Sequence, residues 1–181
     1  NPGHPALIPD VVILDAILTA NVPKSVTAFT GLDALTHAIE AFVSTNATAL
    51  SDFYALAAVR LLTDHIEVVY EEPHNLAARE GMLLGSFYAG IAFSNASTNL
   101  AHATGRALGT KFHLPHGQSV ALMHPFVVEY SMESCADRYD EIAAQIGLKQ
   151  GEELVLYLQG LNDQFGVWQS AKTLIDQLTI E

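Results

Sequence analysis

The stretch GLDALTHAIEA, residues 31–41, is the part of this sequence from which the fold is predicted most directly. Apolar residues recur along it at helical spacing, and the pattern predicts a helix over residues 32–43. Asp33 and His37 stand four positions apart. Because positions i and i+4 share one face of a helix, both side chains can reach a single ion. The stretch therefore predicts a helix that carries two metal-type ligands.

Helical patterns flank this stretch on both sides. Upstream, residues 23–29 are expected to form a short helix that Gly31 ends, and the β-branched run at residues 11–14 is typical of a strand. Downstream, Gly81, Gly85 and Ala89 would let a neighbouring helix approach closely. Further helices are predicted at residues 51–70, 76–93, 98–111, 116–130, 137–146, 152–165 and 170–178. Many helices with very little strand predict an all-α, multi-helix domain.

Charge and cysteine content exclude several classes of protein. The formal net charge is −12, and an acidic chain does not attract phosphate backbones, so nucleic acid is not an expected partner. The single cysteine, Cys135, allows no disulfide within the chain and fits a reducing cytoplasm. The longest near-apolar stretch, residues 11–22, is too short to span a membrane, and Asp15 interrupts it. With no secretory signal at its start, the protein is expected to be cytoplasmic and away from membranes.

The apolar content and the two ends of the chain bear on its domain organisation. Half of the residues are apolar, which predicts deep burial or a face that packs against another domain or subunit. The chain begins at Asn1, in a Pro- and Gly-rich loop, and ends at Glu181 directly after a helical pattern. We interpret both ends as cut, so the 181 residues are expected to be part of a longer protein.

His102 and His116 are a second group of metal-type ligands. His102 lies inside a predicted helix, and His116 follows the helix break at Leu114-Pro115, where the chain can turn back towards His102. Gly117 leaves backbone room beside His116. Either ligand pair taken alone is also explained by chance or by core packing.

Together the two groups supply one carboxylate and three imidazoles. This mixed set suits Fe(II), Zn(II), Co(II) or Ni(II) rather than Ca(II) or Mg(II), which prefer oxygen ligands. One carboxylate against a divalent ion leaves a net positive charge, which can polarise an alcohol or carbonyl oxygen. Of the other histidines, His113 is ambiguous and could support a ligand. The rest have no partner at ligand spacing: His4, His65, His74 and His124.

Several segments resemble signatures of the iron-containing, or group III, alcohol dehydrogenases. Residues 31–41 do so, as does the second ligand segment, which runs from NLAHA at 99–103 to FHLPHG at 112–117. SD at 51–52 and AGIAFSN at 89–95 are also similar to that family. The resemblance covers essentially the whole chain, in order. It implies a helical metal-binding domain of the dehydroquinate synthase-like type.

The resemblance also implies a site, cofactors and an activity. Residues 1–22 would be the tail of an α/β nucleotide-binding domain, and residues 23–181 a helical domain that is incomplete at its C-terminal end. The full-length protein is expected to be a homo-oligomer, a dimer, that interconverts a small alcohol and its aldehyde or ketone with NAD or NADP. The implied ion is Fe(II), with Zn(II) as the alternative. Its implied ligands are Asp33, His37, His102 and His116.

Two features depart from the family's pattern. The family often has a further histidine four residues after the first histidine of the second segment, and Arg106 stands there. We interpret Arg106 as a cation that lines the substrate cleft, with a surface arginine as the alternative. The Gly-rich turn that holds a dinucleotide pyrophosphate is also missing. Gly81, Gly85 and Gly90 lie in a helical pattern and are better explained by helix packing.

Three alternatives to an iron-dependent dehydrogenase follow from the same residues. A zinc-dependent enzyme of the glycerol dehydrogenase type has fewer protein ligands, and His37 argues against it. A helical metal-dependent hydrolase would need a general base over a metal-bound water, and no paired His-Asp dipeptide or extra carboxylate cluster is evident. In a helical interaction module, the histidines would be structural.

Overall fold

Helices account for nearly all regular structure in this chain, whose computed structural model describes residues 9–178. No strand occurs between these residues, so the all-α prediction is confirmed. None of the described helices is both long and apolar enough to cross a membrane. A 3₁₀ helix at Ala16–Thr19 precedes the α-helices: α1 (Lys24–Phe42), α2 (Ala49–Glu71), α3 (Leu76–Ala96), α4 (Leu100–Phe112), α5 (His116–Gln145), α6 (Gly151–Gln164) and α7 (Val167–Leu178).

The strand predicted at residues 11–14 is not formed. These residues belong to no helix or strand, and Val11 and Ile13 are 76% and 85% exposed. A strand needs a neighbouring strand to pair its backbone groups, and the described residues supply none. Residues 1–8, which include His4 and most of the predicted N-terminal loop, lie outside the described part of the chain.

Helix α1 lies at the centre of the fold, between α2, α3 and α5. Its side chains Leu35, Ile39 and Phe42 are at most 1% exposed, and Leu62 and Ile66 of α2 are fully buried beside them. Complete burial of one such side chain stabilises the fold by roughly 1.5–3 kcal/mol. The metal-type ligands of α1 therefore stand on a helix that is anchored in the core.

The helix break predicted at Gly31 is wrong, because α1 runs through it without interruption. A Cβ atom at this position would lie 2.8 Å from Cε of Met82 and 3.0 Å from Cδ1 of Ile66. Glycine costs about 1 kcal/mol relative to alanine inside a helix. Here the close packing of α2 and α3 against α1 requires it.

Small residues let α2 and α3 pack closely, as the sequence predicts. A Cβ atom at Gly81 would overlap the ring of His65, and one at Gly85 would lie 2.9 Å from Cγ of Leu62. Gly90, by contrast, faces open space. The packing interpretation is therefore confirmed for Gly81 and Gly85 and is wrong for Gly90.

Helix α5 combines two segments that the sequence predicts as separate helices. Cys135 has non-helical backbone angles (φ −151°, ψ 41°), so the helix is kinked there. Beyond the kink, Arg138 forms an ion pair with Asp52 at 2.6 Å and donates to the carbonyl oxygen of Phe42. This arginine links the end of α1, the start of α2 and the second half of α5.

Candidate metal centre

The four predicted ligands come from three helices: Asp33, His37 and His102 form a close group, and His116 approaches it through Asp33. Asp33 and His37 stand one turn apart on α1, His102 lies in the first turn of α4, and His116 is the first residue of α5. His102 is buried, whereas the side chain of His116 is 50% exposed. The cluster therefore extends from the interior, at His102, to the surface, at His116.

The distances among the ligand atoms of Asp33, His37 and His102, and from His116 to Asp33, are those expected around a tetrahedral ion. Oδ2 of Asp33 is 3.6 Å from Nε2 of His37, and Oδ1 of Asp33 is 3.5 Å from Nε2 of both His102 and His116. The Nε2 atoms of His37 and His102 are 3.2 Å apart. Ligand atoms about 2.0–2.2 Å from a tetrahedral ion lie about 3.3–3.6 Å from one another. The side chains could thus hold one divalent ion with little movement.

An unsatisfied buried oxygen independently fits a cation. Oδ1 of Asp33 is buried and has no hydrogen-bond partner, although two imidazoles, those of His102 and His116, lie 3.5 Å from it. Burying a carboxylate oxygen without a partner is costly, and buried charges are normally paired or coordinate a metal. Asp33, His37 and His102 offer ligand atoms that all lie within 4.8 Å of one another.

The close approach of α5 to α1 depends on Gly117. A Cβ atom there would overlap the carbonyl group of Phe29 and would lie 3.3 Å from Cβ of Asp33. Because Gly117 has no side chain, α5 can approach the carbonyl group of Phe29, and the neighbouring residue His116 then reaches Asp33. The room that the sequence predicts beside His116 is therefore used for contact between helices.

The surroundings give the ligands different protonation tendencies. Burial and the charge of His102 lower the pKa of His37 to about 4. Burial also acts to lower the pKa of His102, but the nearby carboxylates of Asp33 and Glu40 outweigh it and raise that pKa to about 9. For Asp33, the interaction with the imidazoles outweighs burial and lowers the pKa of the carboxyl. A neutral His37 beside an ionised Asp33 suits metal ligation.

A second buried carboxylate, Glu40, belongs to this site and was missed by the sequence-based prediction. It is 2% exposed, and its Oε2 lies 2.7 Å from Nδ1 of His102. The site thus has a second carboxylate behind His102, in addition to the one predicted among the ligands. One signal in the sequence pointed to it. Glu40 interrupts the apolar run from Ala38 to Phe42 and stands three residues after His37.

A cleft of about 710 Å³ opens beside the cluster. Its wall includes the ring of His37, which is stacked between Phe93 and His102 at centroid distances of 4.3 and 4.0 Å. Arg106 is among the residues that line the cleft and is exposed. The volume is in the range that takes a small organic ligand.

The remaining described histidines do not join the cluster. His124 is buried and is hydrogen-bonded to Thr36, and His65 packs against Gly81. His74 is exposed. His113, which is ambiguous in the sequence, ends α4 in a left-handed conformation (φ 54°) and is exposed.

Comparison with known proteins gives concordant matches. The family model described as "Fe-containing alcohol dehydrogenase family, C-terminal" matches residues 27–173. The Escherichia coli (strain K12) protein named "Probable alcohol dehydrogenase EutG" is 43% identical over 151 residues, which cover 83% of this chain and 38% of that protein.

Solved structures agree with the sequence matches. The iron-containing alcohol dehydrogenase of Thermococcus thioreducens aligns with 97% of this chain and 46% of its own, at a TM-score of 0.88 and 31% identity. Sulfoacetaldehyde reductase of Bifidobacterium kashiwanohense, solved with NAD⁺, aligns with 88% of this chain and 42% of its own, at a TM-score of 0.84 and 33% identity. The chain thus spans less than half the length of each of these relatives. It belongs to the Fe-containing alcohol dehydrogenase family and corresponds to the C-terminal domain of that family.

Proposed function

We propose that this chain is the metal-binding part of an alcohol dehydrogenase that interconverts a primary or secondary alcohol and its carbonyl compound with NAD or NADP. Its proposed ligands are Asp33, His37, His102 and His116. The observation that carries the proposal is the spacing of donor atoms: those of Asp33, His37 and His102 lie 3.2–3.6 Å apart, and Nε2 of His116 lies 3.5 Å from Asp33. Fe(II) is the first candidate ion and Zn(II) the second, because a set of one oxygen and three nitrogens suits both.

Each partner in the proposed reaction has a separate task. A bound divalent ion would supply Lewis acidity towards the substrate oxygen, and the nicotinamide would accept the hydride. The chain itself positions the ligands: α1 holds Asp33 and His37 at a fixed separation, and stacking against Phe93 fixes the ring of His37. The same aromatic ring covers one side of the imidazole and limits the access of water to it.

The metal proposal is tested by elemental analysis of the purified chain after reconstitution with Fe(II) or Zn(II). We expect about one ion per chain, because three of the proposed ligands lie together and His116 adjoins them at Asp33. His102→Ala and His116→Ala should each lose the ion, since a neutral imidazole would be missing from the set. Absence of bound metal in the unsubstituted chain would overturn the proposal.

His74→Ala and His65→Ala are the matched controls for the ligand variants. His74 is exposed and outside the cluster, so its loss should change neither metal content nor stability. His65 packs against Gly81, so its loss should lower stability while leaving the metal content at one ion. Loss of metal in His74→Ala would contradict the ligand assignment.

Arg106 is proposed to favour substrates or cofactors that carry an anionic group. It lines the cleft together with His37, His102 and His116, and no hydrogen bond or ion pair to another described residue engages its guanidinium. A free guanidinium recognises carboxylate and phosphate groups well. The absence of any carboxylate among the described residues of the cleft wall leaves that capacity available.

Steady-state kinetics of the full-length protein on matched anionic and neutral carbonyl substrates test the role of Arg106. Arg106→His should reduce the anionic-to-neutral ratio of kcat/KM by about threefold to fivefold, the size expected for an exposed ion pair, and should retain the metal. Arg60→His is the control, because Arg60 is exposed, pairs with Asp64 and lies outside the cleft. An unchanged ratio in Arg106→His would remove this role.

A metal-dependent hydrolase fits the site less well. Such an enzyme needs a carboxylate free to act as general base beside the ion. Asp33 faces the imidazoles, and Glu40 is hydrogen-bonded to His102. The described residues of the cleft wall include no carboxylate. Alcohol-dependent NADH or NADPH formation by the full-length protein, measured beside ester and phosphate hydrolysis, separates the two functions.

A further inference from the structure

Glu40 is a buried carboxylate with a complete set of hydrogen-bond donors around it. The backbone N–H groups of Asn99 and Ala101 donate to its Oε2 and Oε1 at 2.8 and 2.7 Å, and Nδ1 of His102 lies 2.7 Å from Oε2. All three of these neighbours can donate, and a carboxylate accepts with both of its oxygens. The geometry is therefore that of an ionised Glu40 held on the ligand-bearing face of α1.

This carboxylate replaces the cap that α4 lacks. Asn99 stands at the N-cap position of α4 but makes no side-chain capping bond. The first N–H groups of a helix have no partner within the helix, and the positive end of the helix dipole favours an anion. Glu40 supplies that anion from another helix. The start of α4, and His102 with it, is therefore fixed relative to α1.

The same carboxylate determines the tautomer of His102. An ionised carboxylate only accepts hydrogen bonds, so Nδ1 of His102 must carry the proton in this contact. In the neutral ring, Nε2 is then unprotonated, and it is Nε2 that faces Oδ1 of Asp33 at 3.5 Å and Nε2 of His37 at 3.2 Å. A carboxylate on the far nitrogen of a ligating histidine orients the ring and increases its basicity.

From this geometry we infer that Glu40 is a positioning residue of the proposed metal site, which acts through His102. It presents the lone pair of Nε2 to the ion and ties the second ligand segment to the first. The inference rests on the proposed metal-binding function. It predicts that metal affinity depends on a residue that does not touch the ion.

Glu40→Gln tests this role with little change in size. An amide has one oxygen, so it cannot accept from Ala101 N–H at one end and from Asn99 N–H and His102 at the other. We expect the Zn(II) affinity of the chain, measured by competition with a chromophoric chelator, to fall about 10-fold to 100-fold. Asn75→Ala is the control for stability alone, because Asn75 caps α3 and does not touch the site. It should lower the midpoint of urea unfolding and change the Zn(II) affinity less than threefold.

A second measurement uses the unsubstituted chain and does not depend on the folding of a variant. In the ¹⁵N-labelled, Zn(II)-loaded chain, nuclear magnetic resonance should show a slowly exchanging proton on Nδ1 of His102. A proton on Nε2 instead, or a Glu40→Gln affinity equal to that of Asn75→Ala, would overturn the role of Glu40. If the unsubstituted chain bound no Zn(II), the metal site itself would fail, and the role of Glu40 with it.

Discussion

Histidine side chains in this chain differ in charge because their surroundings differ. His102 has two carboxylate neighbours, and its pKa is raised to about 9. His124 is fully buried, and burial lowers its pKa to about 4 in spite of the attraction of Glu40. The hydroxyl of Thr36 donates to the carbonyl oxygen of Leu32, so it accepts from Nδ1–H of His124 and leaves Nε2 without a partner. A proton on Nε2 would place an unpaired charge in the core.

His124 is expected to make the chain sensitive to acid. Its folded pKa of about 4 lies below the ordinary value of 6.5. The stabilisation by neutral His124 is therefore complete above pH 6.5 and is lost as the pH falls towards 4. The loss amounts to roughly 3 kcal/mol. Urea unfolding of the metal-free chain at pH 7 and pH 4 should show this decrease in the free energy of unfolding. In His124→Gln, whose side chain cannot be protonated, the decrease should be smaller by roughly 3 kcal/mol.

The comparison between the two proteins isolates His124 from the other histidines that titrate in this range. Glutamine has no titratable group, so the variant lacks the pH dependence of His124 while the other histidines are unchanged. Parallel pH profiles of the free energy of unfolding for the two proteins would contradict the prediction.

Residue types and spacings predicted the candidate ligands but only part of their environment. Asp33 and His37 are visible in the sequence because a single helix brings them together. The pairing of His102 and His116 with them depends on the resemblance to a family, since the fold brings together residues that are far apart in the sequence. Glu40 was missed for a physical reason: its role arises from N–H groups about sixty residues away, which no local pattern reveals.

At the scale of the helices, local patterns predicted where helices exist better than where they end. Glycine is a poor helix former, so the local sequence predicts a helix break at Gly31. Its contacts are with Met82 and Ile66, which belong to other helices, so the sequence near Gly31 does not contain the reason for it. The strand predicted at residues 11–14 is wrong for a similar reason, because a strand forms only where a second strand pairs with its backbone.

Gly117→Ala is expected to separate α5 from α1. The added Cβ would overlap the carbonyl group of Phe29, and overpacking of this kind costs about 1–3 kcal/mol. Because His116 is the neighbouring residue, the variant should also bind Zn(II) more weakly, by about tenfold or more if one ligand shifts out of place. Urea unfolding and chelator competition measure the two effects.

Gly160→Ala is the matched control for this substitution. Gly160 lies within α6 and has open space around it. The change should leave Zn(II) affinity unaltered and should stabilise the chain by up to about 1 kcal/mol, because alanine is the better helix former. Equal stability and equal Zn(II) affinity in the two variants would show that neither property depends on the contact between Gly117 and Phe29.

The whole molecule combines a well-packed core with exposed apolar side chains at its start. Val11, Ile13, Ile17 and Leu18 are between 65% and 85% exposed. A cluster of this kind is typical of a surface that packs against another domain or subunit. It supports the proposal that residues 1–22 are the tail of an α/β nucleotide-binding domain, as the length of the relatives also does.

We predict that this chain alone is folded and helical but inactive. Hydride transfer needs a nicotinamide held close to the reacting carbon. Residues 9–178 contain no strand that could carry a Gly-rich pyrophosphate turn, and the net charge of −12 opposes phosphate binding. Calorimetric titration of the metal-loaded chain with NADH and NADPH should show no tight binding, and an alcohol oxidation assay no turnover. Micromolar binding, or any alcohol-dependent NADH formation, would contradict the two-domain proposal.

The spacing of the proposed ligands along the chain has a consequence for the unfolded state. Asp33 and His116 are about eighty residues apart in the sequence, with His102 between them. An ion shared by these residues would close a large loop, as a disulfide does in a secreted protein, and closure of a long loop removes much of the conformational entropy of the unfolded chain. With Cys135 as its single cysteine, the chain cannot form such a covalent link by itself. The ion would act as a reversible cross-link, whose strength rises with the free metal concentration.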